Sequence, residues 1–128
     1  MNKNKFDICL IIHGCPASAD RIIPKKDRWM NWLETELKIL GYKAYALDMP
    51  TPWNPIYSKW KSEFEKYPIT ENSVLVGHSC GAAFLVRYLL ESGKKVKKLV
   101  LVAPVKIPET ENDTRKGLYE FSFKTKSY

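Results

Sequence analysis

Long apolar runs are missing from this chain. The first, Phe6 to His13, is interrupted by a histidine after about seven residues, whereas a helix crossing a bilayer needs about 20. Met1 to Lys5 is polar and basic, and no small-residue cleavage site follows an apolar stretch, so neither a membrane span nor a signal peptide is expected. The chain is therefore read as cytoplasmic, with no membrane partner. Fixed-period repeats and low-complexity tracts are also absent, which excludes solenoids and disordered tails. Cysteine is sparse: Cys9, Cys15 and Cys80 are an odd set without a C-x-x-C pair, which predicts reduced thiols rather than a disulfide framework. Histidine is scarcer still, since His13 and His78 are the whole supply, and neither has a ligand spacing to those cysteines. No metal site is expected.

Positive charge is what the sequence has in excess. Twenty-one Lys and Arg against 14 Asp and Glu give a formal charge of +7, which raises the question of a nucleic-acid partner. The lysines are scattered, from Lys25 and Lys26 through Lys38 and Lys59 to Lys94 and Lys98, and form no stripe or known motif. A solvated surface is the simpler reading, with no nucleic acid bound. Apolar residues at 45% and charged residues at 27% lie near the globular average, so residues 1–128 are read as a single domain around one core.

Along the chain, strand and helix patterns alternate. Phe6 to His13 is a nearly continuous apolar run, as a strand buried on both faces should be. From Asp27, a candidate N-cap, Trp29, Trp32, Leu33, Leu37 and Leu40 share one helical face, and Gly41 stops it. Tyr42 to Asp48 returns to strand. Asn54-Pro55 then predicts a helix start, with Ile56, Trp60 and Phe64 one turn apart and Pro68 as terminator. Ser73 to Gly77 is a third strand, Cys80 to Ser92 a helix closed by Gly93, and Lys98 to Ala103 a fourth strand. Residues 106–128 read as loop and tail, with a short helix around Tyr119. The expected architecture is α/β: a three-layer αβα sandwich on a mainly parallel sheet, with binding sites at the C-terminal ends of its strands.

Gly77-His78-Ser79-Cys80-Gly81 is a G-x-S-x-G. Such a pattern arises by chance in roughly 4% of chains this long, so its context decides its meaning. Here it lies between an apolar strand and an apolar helix, the setting of a nucleophile elbow that lifts a serine hydroxyl above a sheet. Gly77 and Gly81 suit a turn too tight for a β-carbon, and the helix starting at Cys80 directs its positive end at developing negative charge. Ser79 is the candidate nucleophile. An oxyanion hole needs one N–H after the nucleophile, here that of Cys80, and one from the loop after an earlier strand. His13-Gly14-Cys15-Pro16 fits that loop, and because Pro16 has no N–H, Cys15 is the candidate second donor. The Cys15 and Cys80 side chains would then lie near each other, with a regulatory thiol pair as the lesser reading. His78 projects away from its neighbour on a tight turn, so it and His13 are expected to line the pocket rather than act as base. Asp48 reads as a loop-organising carboxylate.

Several segments match a known family in order: IIHG at Ile11 to Gly14, DMPTP at Asp48 to Pro52, Trp60, GHSCGAAFLVRYL at Gly77 to Leu89, and LVLVAPV at Leu99 to Val105. The chain resembles the small serine hydrolases of the α/β-hydrolase superfamily, the group that includes retinoblastoma-binding protein nine and the bacterial YdeN type. That resemblance implies an α/β-hydrolase fold, a serine nucleophile, a small-molecule acyl substrate with an ester or amide bond, and no cofactor. It also implies Ser, Asp and His in that chain order. The sequence departs from the pattern after Ser79, where no histidine follows, and Glu109, Glu111, Asp113 and Glu120 do not succeed a later apolar strand. A sheet truncated after about four strands is expected, weak or inactive alone, with an exposed edge open to a protein partner or a second copy. A non-catalytic interaction module or inert fragment is the alternative reading.

Overall fold

The computed structural model describes residues 5–16, 18–104 and 118. Its frame is a four-stranded sheet, β1 (Ile8–Ile12), β2 (Ala44–Leu47), β3 (Ser73–His78) and β4 (Lys98–Val102), in the order β2-β1-β3-β4 with every pairing parallel. Parallel neighbours need crossovers. These are the helices α1 (Trp29–Ile39), α2 (Tyr57–Phe64) and α3 (Cys80–Ser92).

The period-two geometry of β1 divides the core. Ile8, Leu10 and Ile12 face α2 and α3, while Cys9 and Ile11 face α1, giving three layers with both sheet faces covered. The larger cluster is aromatic. Trp60, Phe64, Phe84 and Tyr88 are fully buried, and the Phe84 ring lies 5.6 Å from Trp60 and 5.5 Å from Phe64 between centroids.

Three expected details are corrected. Only Met30 of α1 is buried, with Leu33 and Leu37 packed beside it, whereas Trp32 and Leu40 are exposed. The buried stripe is thus rotated from the expected face, because Met30 rather than Trp32 reaches the sheet. Asp27 belongs to a short 3-10 turn, and Arg28 occupies the N-cap position. Asn54 does not start α2: its N–H donates to the Thr51 carbonyl (2.9 Å), closing a turn that holds residues 51–54 out of the helix, which begins after Ile56. By contrast α3 has the expected limits, with Gly93 in the left-handed conformation that favours glycine (φ 68°).

The two sheet edges differ. The Glu34 carboxylate of α1 accepts the Ala46 N–H of β2 (2.5 Å), satisfying part of that edge. β4 has no strand beyond it among the described residues and leaves Val100 and Leu101 exposed. The expected tail lies outside the described residues except for Leu118, which is helical and buried in the larger cluster. No helix among the described residues is long and apolar enough to cross a membrane.

Candidate active site

Ser79 is the single residue between β3 and α3, and the chain must reverse there within one peptide. Its backbone takes φ 54° and ψ −121°, a conformation that L-residues rarely adopt. The turn is held from both sides. Ser79 N–H donates to the Val102 carbonyl at the end of β4 (2.9 Å), and the Ser79 carbonyl accepts from Ala82 N–H (3.0 Å). Its hydroxyl makes no capping bond to α3, and the residue is partly exposed.

The flanking glycines are obligatory on steric grounds. A β-carbon on Gly77 would stand 2.7 Å from the Ala82 α-carbon, and one on Gly81 would overlap the carbonyl oxygens of Ile12 and His13. Gly81 therefore lets α3 start directly against the end of β1. Gly14 is also packed tightly, since a β-carbon there would lie 3.2 Å from both the Ser79 β-carbon and His78 Nδ1. The loop after β1 is thus beside the serine. Among the described residues, neither the Cys15 N–H nor the Cys80 N–H donates to a protein acceptor.

Cys15 and Cys80 are joined by a disulfide across a Cα–Cα distance of 6.0 Å, within the usual range for a bridge. This corrects the expectation of reduced thiols. The expected closeness of the two side chains holds, because α3 begins against the loop after β1, but cysteine count and spacing gave no sign of a bond 65 residues apart in sequence. Cys9 alone is free, buried on the α1 side of the sheet.

His13 is buried and bonded through both ring nitrogens. Met49 N–H donates to Nε2 (2.9 Å), which leaves Nδ1 to carry the proton donated to the Gly14 carbonyl (2.7 Å). Burial, reinforced by the Arg28 charge, lowers its pKa below 6.5 despite the opposing bond to Gly14. Asp48, just after β2, is paired with Lys25 and with Arg28 (3.2 Å), so it ties the segment before α1 to the sheet, the loop-organising role expected for it. Partial burial raises the Asp48 pKa, but the two cations outweigh it and the net shift is downward. Protonation of His13 would remove the Met49 acceptor. The unfolded chain binds that proton first, so stability should decline as pH falls below 6.5 through the lower folded value. Asp48 adds a second loss below 3.8. Thermal unfolding midpoints measured from neutral to acid pH should show both steps, with His13→Asn flattening the upper one.

A cavity of about 250 Å³ opens at this turn. Ser79, Gly14 and Cys15 line it, His78 stacks edge-on to Trp29 (5.7 Å), and Ile22, Ile23 and Met30 supply apolar lining. Arg21 and Arg28 also line it, the latter paired with Asp48. Every candidate site residue, His13, Gly14, Cys15, Gly77, His78, Ser79, Cys80 and Gly81, is therefore at one place in the fold, the C-terminal ends of β1 and β3.

Comparison with known proteins decides the family. A profile described as serine hydrolase matches residues 9–126. The chain belongs to the serine hydrolase family. The chain is 34% identical over 97 residues to a Bacillus subtilis (strain 168) protein named "Putative hydrolase YdeN", an alignment covering 73% of this chain and 48% of that one. It thus spans about half the length of that curated relative. The crystal structure of the ydeN gene product from B. subtilis matches with a TM-score of 0.75 at 25% identity, over 92% of this chain and 62% of that one. The parallel sheet of the chain is α/β-hydrolase-like.

Sequence reading missed the segment from Arg21 to Met30 as part of the cavity lining. Its residues show no periodicity facing Ser79, and the signal available was the cation pair Lys25 and Arg28 opposite a lone Asp48. The His13–Met49 bond was equally hidden, because it depends on β1 and β2 being neighbours.

Proposed function

We propose that the protein hydrolyses acyl bonds, ester or amide, through Ser79 as nucleophile. The observation that carries this reading is the Ser79 hydroxyl itself, free of a capping bond, on a strained turn at the start of α3 and beside Gly14. Such a turn is the mechanical part of a nucleophile elbow. Ser79 Oγ adds to the substrate carbonyl carbon, its proton leaves to a base, and the carbonyl oxygen becomes an oxyanion. The N–H groups of Cys15 and Cys80 are the proposed donors to that oxyanion, with the α3 dipole adding to them. Expulsion of the alcohol or amine leaves an acyl-serine, which water then cleaves. Ile22, Ile23, Trp29 and Met30 in the cavity lining suit an acyl chain.

The base is proposed to come from outside the described residues. His13 holds Met49 and Gly14 with its two nitrogens, and His78 packs on Trp29 with no hydrogen bond to Ser79. A complementing segment bearing the acid and base would extend the sheet along β4, whose outer edge is open and apolar among the described residues. Without a base, hydrolysis should fall to roughly 10³–10⁴ over the uncatalysed rate, supported by the hole and binding alone.

A fluorophosphonate probe tests the reading, because it phosphonylates only an activated serine. The expected result is a slow, single adduct whose peptide contains Ser79. An adduct elsewhere, or none at all, would favour the interaction-module reading suggested by the β4 edge.

A further inference from the structure

The bridge between Cys15 and Cys80 joins the two residues whose amides are proposed to form the oxyanion hole, and Ser79 lies immediately before the second of them. Among the described residues the Cys15 and Pro16 backbone makes no hydrogen bond to the rest of the protein. On the near side the loop is fixed by His13, which grips the Gly14 carbonyl. Beyond Gly14, the disulfide is what fastens it to α3. The sheet does not depend on this fastening, since β1 is paired along its length with both β2 and β3. Breaking the bridge would thus act on the hole before it acts on the fold.

We infer that Cys15–Cys80 is a reversible thiol-modification site that builds the oxyanion hole when bridged and releases the Cys15 amide when reduced. The inference rests on Ser79 being the nucleophile. Access favours one direction of attack: Cys80 is buried, whereas Cys15 is partly exposed and lines the cavity. A dithiol reductant entering the cavity attacks Cys15 Sγ as a thiolate. The S–S bond breaks, and Cys80 leaves as a thiolate at the first turn of α3, where the helix's positive end stabilises it. The reductant's second thiol then displaces Cys15 from the mixed disulfide. Two electrons pass to the protein, the reductant ends as its own disulfide, and both cysteines take up a proton. Because reductant and substrate share one entrance, an adduct on Ser79 should shield the bridge from reduction. Cys9 takes no part, being on the opposite face of the sheet with burial pushing its thiol up to about 11.

The test uses the full chain, equilibrated with oxidised glutathione or with dithiothreitol. Peptide mapping without reductant should recover Cys15 linked to Cys80 in the first sample and free thiols in the second. Fluorophosphonate labelling of Ser79 should slow about 100-fold on reduction, the scale of losing one oxyanion donor, and recover on re-oxidation. Prior phosphonylation of Ser79 should slow the appearance of the Cys15 thiol to maleimide. Cys15→Ser with Cys80→Ser should label at the reduced rate and ignore dithiothreitol, and if that variant fails to fold, the parent's redox series decides alone. Equal labelling rates in the bridged and reduced parent would overturn the switch while leaving the nucleophile in place. Absence of the linked peptide under oxidation would overturn it as well, and labelling in neither state would remove the nucleophile and the switch together.

Discussion

Ser79→Gly should melt at a higher temperature than the parent and lose all covalent labelling. The two effects have one origin. At φ 54° and ψ −121° a serine pays a steric penalty on the order of 1–3 kcal/mol that glycine escapes, while glycine's greater freedom in the unfolded chain returns about 1 kcal/mol. A net gain of roughly 1 kcal/mol should raise the melting temperature by about 4 °C. No capping bond is lost, because the hydroxyl makes none to α3. Labelling falls to zero since no nucleophilic oxygen remains. Calorimetry and probe labelling on the same sample check both, and a variant that melts lower than the parent would mean that the turn is not strained.

Phe84→Ala should produce the largest loss of stability among single core truncations. Phe84 is fully buried at the centre of the aromatic cluster, with Tyr57 5.7 Å, Trp60 5.6 Å, Phe64 5.5 Å and Tyr88 6.1 Å away between ring centroids. Removing the ring loses its burial and leaves a cavity that several rigid neighbours cannot fill, about 3–5 kcal/mol in comparable cores. Against a total of about 5–15 kcal/mol for a typical domain, that is a large share. Urea unfolding should show a midpoint shifted strongly downward with an unchanged slope, since the surface exposed on unfolding stays nearly the same. A shift below 1 kcal/mol would place the cluster at the periphery of the core.

The parallel sheet and α3 were legible in the sequence because their signals are local and strong. β3 reads as a short strand with an apolar Val74–Val76 centre, α3 as an apolar helix with glycine just past its end, and the turn between them as a five-residue motif. The Ser79 turn was therefore found from the chain alone, as were Gly14 and Cys15 on the loop that packs beside it. What stayed hidden depends on which strands become neighbours. The His13 bonds need β2 beside β1, and the Asp48 clasp needs Lys25 and Arg28 brought to the end of β2, whereas for Cys15 and Cys80 the proximity was legible and only the bond between them was not. Helix starts failed for a different reason: Asp27 and Asn54 are good caps by type, yet each is engaged in a turn one or two residues too early. Turn chemistry and cap chemistry use the same residues, and only the surrounding chain decides between them.

The bond from Ser79 N–H to the Val102 carbonyl sets the order in which this molecule can mature. β1 cannot pair with β3 until some sixty intervening residues have been made and looped back, and parallel ladders of such high contact order assemble slowly. The serine turn then waits further still, for the arrival of β4. The turn that holds Ser79 is therefore complete only when the fourth strand has joined the sheet.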